Sequence, residues 1–336
     1  MKPILAVCAL SLMAGAGWGA ECVGQNLIEG LSAEDRAWIA NQTKDIPYHE
    51  GILWHASKGN ARISLIGTYH FDHPQHKATV AAMRDELTSA DHLLVELGPE
   101  EDEALKSALL SDPTLIVDMT GPTLPERLSE VQWQDLGAAL EERGIPAVMA
   151  SRMRPWYVAT MLAMSPCVME QLAQGKVSEG LDRQLMQVAE EAGVPIKALE
   201  PWDTVIKLFS ELSPQEEVDM IVYSLPVASY ADSYTRTMED AYAAGDVWQI
   251  WEFSRLDAHR NSGLTPEEVD RMTEETEELL LNARNRSWIE PLTEAADAAA
   301  GKDLAVVAAF GALHLPGEEG VLRLLEKDGW TIERMD

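Results

Sequence analysis

The chain has 336 residues, 46% of them hydrophobic, enough for an extensive core, and its 56 acidic against 26 basic residues leave a net charge of -30. Such a field disfavours nucleic acid and anionic membranes as partners, since both present negative charge. The length allows two domains or one α/β domain carrying a helical insertion. The absence of G-x-S-x-G, P-loop, H-E-x-x-H and C-x-x-C patterns removes α/β-type serine hydrolases, P-loop nucleotide hydrolases, zincins and thioredoxin-like oxidoreductases.

Residues 1–20 read as a secretory signal peptide: Lys2, an apolar run at 4–13, then small residues up to Ala20. The run is shorter than the roughly 20 residues a membrane span needs. Cys8 lies too early for a lipoprotein anchor and follows Val7. The expectation is therefore a periplasmic or secreted protein with no stable membrane anchor, residues 21–336 forming one domain. Two cysteines remain after cleavage, Cys22 and Cys167, in a compartment that permits disulfides. They are predicted to pair, closing a loop worth about 4–5 kcal/mol in the chain-entropy picture.

Residues 52–56 and 62–71, separated by Ser57-Lys58-Gly59-Asn60, predict a β-hairpin whose second strand ends at His70. Residues 75–90 have helical spacing, and 92–97 form a short apolar strand containing Glu96. Helices are predicted at 100–110, 130–143, 155–164 and 180–192, and a strand at 195–199 runs into Glu200. From about 202 to 300 the pattern is almost unbroken helix, with breaks at Ser213-Pro214, Ala244-Gly245 and Ser262-Gly263 and a helix start at Thr265-Pro266-Glu267-Glu268. Strand character returns at 303–310, followed by a helix at 319–328 and a strand at 330–334. The alternation predicts an α/β fold: a central sheet flanked by helices, with a long all-helical insertion between its sheet-forming halves.

In open α/β sheets, sites form beyond the carboxyl ends of the strands. His70, Glu96 and His314 each close or follow an apolar strand, and Gly67 and Gly311 stand three residues before the two histidines. A glycine there lets the backbone turn sharply or approach a ligand closely. Two neutral imidazoles and one carboxylate are the ligand set of an open catalytic metal site.

The segments Leu65-Ile66-Gly67-Thr68-Tyr69-His70, Leu94-Val95-Glu96, Gly180-Leu181-Asp182, Ala198-Leu199-Glu200, Arg284-Asn285-Arg286-Ser287-Trp288 and Phe310-Gly311-Ala312-Leu313-His314 occur in an order that resembles the TraB/GumN family. That family includes the Tiki proteins, described as metal-dependent proteases with two G-x-x-H motifs and an essential Glu. It is more distantly similar to erythromycin-esterase-like and ChaN-like folds. The resemblance implies metal ligation by His70, Glu96 and His314, with Glu96 also a catalytic candidate. It implies catalytic support from Arg284 and Asn285 as a pair behind the ligands or stabilising an oxyanion. Substrate-binding or supporting roles are expected for Gly67, Tyr69, His73, Glu200 and Gly311. The ion would be Zn²⁺, Mn²⁺ or Co²⁺. The function so implied is an exported, peptidase-like metallohydrolase acting on a peptide or small molecule. A non-catalytic peptide- or signal-binding protein and an ester or lactone hydrolase are the alternatives. The remaining histidines, His49, His55, His92 and His259, are expected to be structural or exposed. His76 is expected at the surface of a helix start, and Trp248, Trp251 and Phe253 in a core.

Overall fold

The computed structural model describes residues 24–174 and 180–335. The signal-peptide reading and Cys22, and with Cys22 its pairing to Cys167, lie outside the described residues. The predicted α/β fold is present. Six strands form one mixed sheet: β1 (Leu53–Lys58), β2 (Ala61–Thr68), β3 (Leu93–Val95), β4 (Ile196–Ala198), β5 (Val306–Gly311) and β6 (Thr331–Arg334), in the order β4-β3-β5-β2-β1-β6. β4, β3, β5 and β2 are mutually parallel, while β1 runs antiparallel to both β2 and β6.

Alternation along β5 explains its central place. Val306, Ala308 and Phe310 point into one core with Leu65, Trp288 and Leu292, while Val307 and Ala309 point into another with Ile66, Leu93, Val95 and Leu185. A strand apolar on both faces needs cover on both. The helices Ala283–Ala300 and Val321–Lys327 supply it on the first face, His76–Thr88 and Leu181–Ala192 on the second.

The β1–β2 hairpin is tighter than expected. Ser57 and Lys58 pair with Arg62 and Ala61, so the turn is Gly59-Asn60, with Gly59 at φ +61°. β2 stops at Thr68, leaving His70 in the bend beyond it.

Between β4 and β5 the described residues form helices and connecting turns. The helix starts at Ser213-Pro214 and Thr265-Pro266 carry reciprocal capping boxes with Glu216 and Glu268. The helical layer is not built from that insertion alone. Leu136, Leu140, Val158 and Leu162 from before β4 share one core with Val218 and Ile221 from after it.

Candidate functional site

The carboxyl ends of the four parallel strands lie side by side, and each delivers one group. β4 leads into Glu200, β3 into Glu96, β5 into Gly311 and the short 3-10 turn Ala312–His314, and β2 through Tyr69 to His70. Gly311 is the floor on which they meet. A Cβ built there would stand 3.2 Å from Glu96 Oε1, 3.5 Å from His314 Cδ2 and 3.8 Å from His70 Nε2. Two other glycines make room for this. A Cβ on Gly67 would lie 2.7 Å from Leu315 and 3.0 Å from Ala312, and one on Gly180 would lie 2.4 Å from the His70 carbonyl oxygen. Gly67 thus serves packing of the two strand ends rather than approach to a ligand.

Both histidines are held from behind. His70 Nδ1 donates to Asp182 Oδ2 at 2.9 Å, and Asp182 is itself fixed by Thr68 Oγ1 at 2.6 Å. His314 Nδ1 lies 2.6 Å from Asn285 Oδ1, while Asn285 Nδ2 donates to the Glu319 carbonyl at 2.9 Å. That second bond makes Oδ1 the acceptor, so His314 Nδ1 carries the proton. In the neutral ring the lone pair then sits on Nε2, the nitrogen that can accept a hydrogen bond or, with that bond exchanged, ligate a metal. His314 is buried against Trp288, with ring centroids 4.5 Å apart.

Arg284 is the hub. Its Nη2 reaches Glu96 Oε2 at 2.7 Å and Glu200 Oε1 at 2.6 Å, its Nε reaches Glu200 Oε2 at 2.9 Å, and its Nη1 reaches the Leu280 carbonyl at 3.1 Å and His314 Nε2 at 3.3 Å. A guanidinium has five N–H donors, and these five contacts engage them all. Arg284 therefore suits holding the two glutamates and is not free to stabilise an oxyanion. Asn285, buried behind His314, likewise positions rather than touches a substrate. The carbonyl that Arg284 uses belongs to a π-turn, Glu278–Asn282, a distortion that often marks functional sites. Glu96 completes the arrangement by accepting from Gly311 N at 2.5 Å through its other oxygen.

These contacts set the protonation states. The hydrogen bond to Asp182 raises His70 to about 9, against desolvation that favours the neutral ring. Burial pushes His314 down to about 4, only partly offset by the nearby Glu96. Burial opposes the charge on Glu96, but His314, Arg284, His70 and the Gly311 amide together hold it at about 2.

The site opens on a cleft of about 800 Å³, one wall of which is a face of the helix Leu181–Ala192. His70 and Glu96 line it, and 63% of the His70 side-chain surface is open. Two residues expected here lie elsewhere. Tyr69 is buried and stacks on Tyr242 at 5.4 Å, because the chain after β2 turns its ring into the cluster with Ile52 and Val247. His73 packs between His76 and Tyr242, and its Nδ1 accepts from Gln75 N at 3.2 Å. His76 starts its helix but is fully buried among those rings rather than at the surface. His49, His55, His92 and His259 each pair with one carboxylate. Trp248 and Phe253 are buried.

Asp182 is the site residue that sequence reasoning left without a role. Its signal was the Gly180-Leu181-Asp182 segment opening a helix, a place where an acid is ordinarily read as a partner of the helix dipole.

The order of these residues along the chain, each at a strand end, is matched by comparison with known proteins: the model of the TraB/PrgY/gumN family aligns to residues 52–334. The chain belongs to the TraB/PrgY/gumN family. Among its relatives are the YbaP proteins of Escherichia coli K12 and Shigella flexneri, each 24% identical over 296 residues, covering 84% of this chain and 99% of the relative. The matched span contains His70, Glu96, Asp182, Glu200, Arg284, Asn285 and His314.

Proposed function

We propose that this family member is an exported metallohydrolase acting on a peptide bond. The observation that carries the reading is the paired support of the histidines. Asp182 and Asn285 each fix an Nδ1, and both rings stand around Gly311 beside an ionised Glu96. The donor set fits a divalent ion: two imidazoles with orienting acceptors and one carboxylate. His70, His314 and Glu96 would hold Zn²⁺, Mn²⁺ or Co²⁺, which would polarise the substrate carbonyl and acidify a water. Glu96, a weak base at about 2, would orient that water and counter positive charge. Arg284 and Glu200 keep the Glu96 carboxylate turned toward the floor.

The reading is tested by incubating the protein with a diverse peptide mixture and each metal in turn, followed by mass spectrometry. Cleavage that disappears with chelator and in Glu96→Gln supports it. Cleavage unaffected by both, or none with any metal, contradicts it.

One observation favours a second reading, metal-free hydrolysis of a small ester or lactone. Glu96 Oε1 and His314 Nε2 are 3.8 Å apart, but the donor atoms of His70, Glu96 and His314 do not all lie within 4.8 Å of one another. Among the described residues His49, Glu50 and Asp246 form the group that meets that spacing. In this reading His70, backed by Asp182, takes the proton of the attacking water. A base held at about 9 gives a rate that rises with pH toward that value, and activity that survives chelator.

A further inference from the structure

We infer that Arg183 is a specificity residue that selects substrates carrying a carboxylate beside the bond attacked, an inference that rests on the hydrolytic reading of the cleft. The helix Leu181–Ala192 begins against the backbone of the His70 bend, with Leu181 N donating to the Tyr69 carbonyl at 3.0 Å. Asp182 turns back to His70, and the next residue, Arg183, is exposed and lines the same cleft.

What distinguishes Arg183 is that its charge is uncommitted. The other charged groups near the floor are engaged: Glu96 by Arg284 and Gly311, Asp182 by His70 and Thr68. Asp102, at the opposite lip, pairs with Lys106 at 2.6 Å. In a chain with 56 acidic residues, no carboxylate of the described residues lies within 4 Å of the Arg183 guanidinium. Glu190, the remaining acid among the described residues that line the cleft, is on the same helix seven residues on, which at the helical rise is about 10 Å away and too far to neutralise it. Among the described residues, one cation is therefore left open at the reactive end of a cleft in an otherwise acidic molecule. A guanidinium recognises a carboxylate by paired hydrogen bonds as well as by charge. The carboxylate can come from an Asp or Glu side chain next to the scissile bond or from a peptide C-terminus.

Three fluorescein-labelled probes separate these sources: Ala-Ala-Glu-Ala-Ala amide, Ala-Ala-Gln-Ala-Ala amide, and the Gln peptide as free acid. Binding is read by anisotropy at low salt and products by mass spectrometry, without metal and with Zn²⁺, Mn²⁺ or Co²⁺ added, for the full chain and for Arg183→Gln, with Arg183→Lys as the variant that keeps the charge. A carboxylate probe is expected to bind about tenfold tighter than the neutral one, as one charge-assisted contact would give. The advantage should vanish in Arg183→Gln, return in part in Arg183→Lys, and shrink with added salt. Equal binding of all three probes, no binding, or an advantage retained in Arg183→Gln would overturn the inference. Carboxylate-selective binding with no product in any arm upholds Arg183 and refutes hydrolysis. Product formed without carboxylate preference does the reverse.

Discussion

Asp182 reaches His70 across 112 positions of sequence, its Oδ2 2.9 Å from the imidazole Nδ1, and so ties the first turn of the cleft-wall helix to the bend after β2. Asn285 does the same for His314 from the opposite side of the sheet end. The two rings thus owe their orientation to residues far from either G-x-x-H segment.

The Asp182–His70 bond makes a pH prediction. Its folded-state value of about 9 lies above the ordinary imidazole value of about 6.5. The stabilisation is therefore fully present below about 6.5 and is lost as pH rises through about 9. In chelator-treated protein, the Tm difference between wild type and Asp182→Asn should be largest at pH 6 and shrink by pH 10. A difference constant over that range would show that the bond does not hold the proton.

His314 gives the opposite slope. Held at about 4 by burial, it must stay neutral in the fold while the unfolded chain takes up a proton below about 6.5. Stability should fall as pH drops from about 6.5 toward 4. His314→Gln, which cannot protonate, should flatten that limb in chelator-treated protein. An unchanged limb would place the acid sensitivity elsewhere.

Arg284→Ala should be the most damaging substitution at the site. It leaves the part-buried Glu96 and the buried Glu200 carboxylates without their shared cation, a loss of about 3–5 kcal/mol. Denaturant unfolding measures it. Arg284→Lys should recover little, because a single ammonium cannot reproduce the fork across both glutamates. A loss under about 1 kcal/mol would mean that the pairs are not formed.

Gly180→Ala tests the helix start. Its Cβ would collide with the His70 backbone at 2.4 Å, which neither main chain can relieve by a rotamer change. A cost of about 1–3 kcal/mol is expected. Loss of cleft function at temperatures where the variant remains folded should accompany it. Gly193→Ala, at φ +73° with open space around it, should cost stability and leave cleft function intact.

The strand-end positions of His70, Glu96, Glu200 and Gly311 were legible in the sequence, because apolar runs of strand length stop beside them. So were the helix breaks at Ser213-Pro214 and Thr265-Pro266, where a capping residue precedes proline. Asp182 was not, since an acid in the first turn of a helix has an ordinary local explanation and its partner is 112 positions away. Tyr69 and His73 were misplaced because proximity to His70 in sequence says nothing of direction once the strand has ended. His76 shows the same limit: a polar residue at a helix start became buried when Tyr69, His73 and Tyr242 enclosed it. The shared helical core of Val158 and Ile221 was hidden by its two distant segments.

The proposed function makes His70 and His314 halves of one metal-holding site. Metal content per chain, measured on protein purified without chelator, tests it most directly for wild type, His70→Ala, His314→Ala and, as a control at the other histidine–acid cluster, His49→Ala. About one ion is expected in wild type and in His49→Ala, and a marked loss in both His70→Ala and His314→Ala. Equal content in all four, or loss in His49→Ala alone, would contradict it.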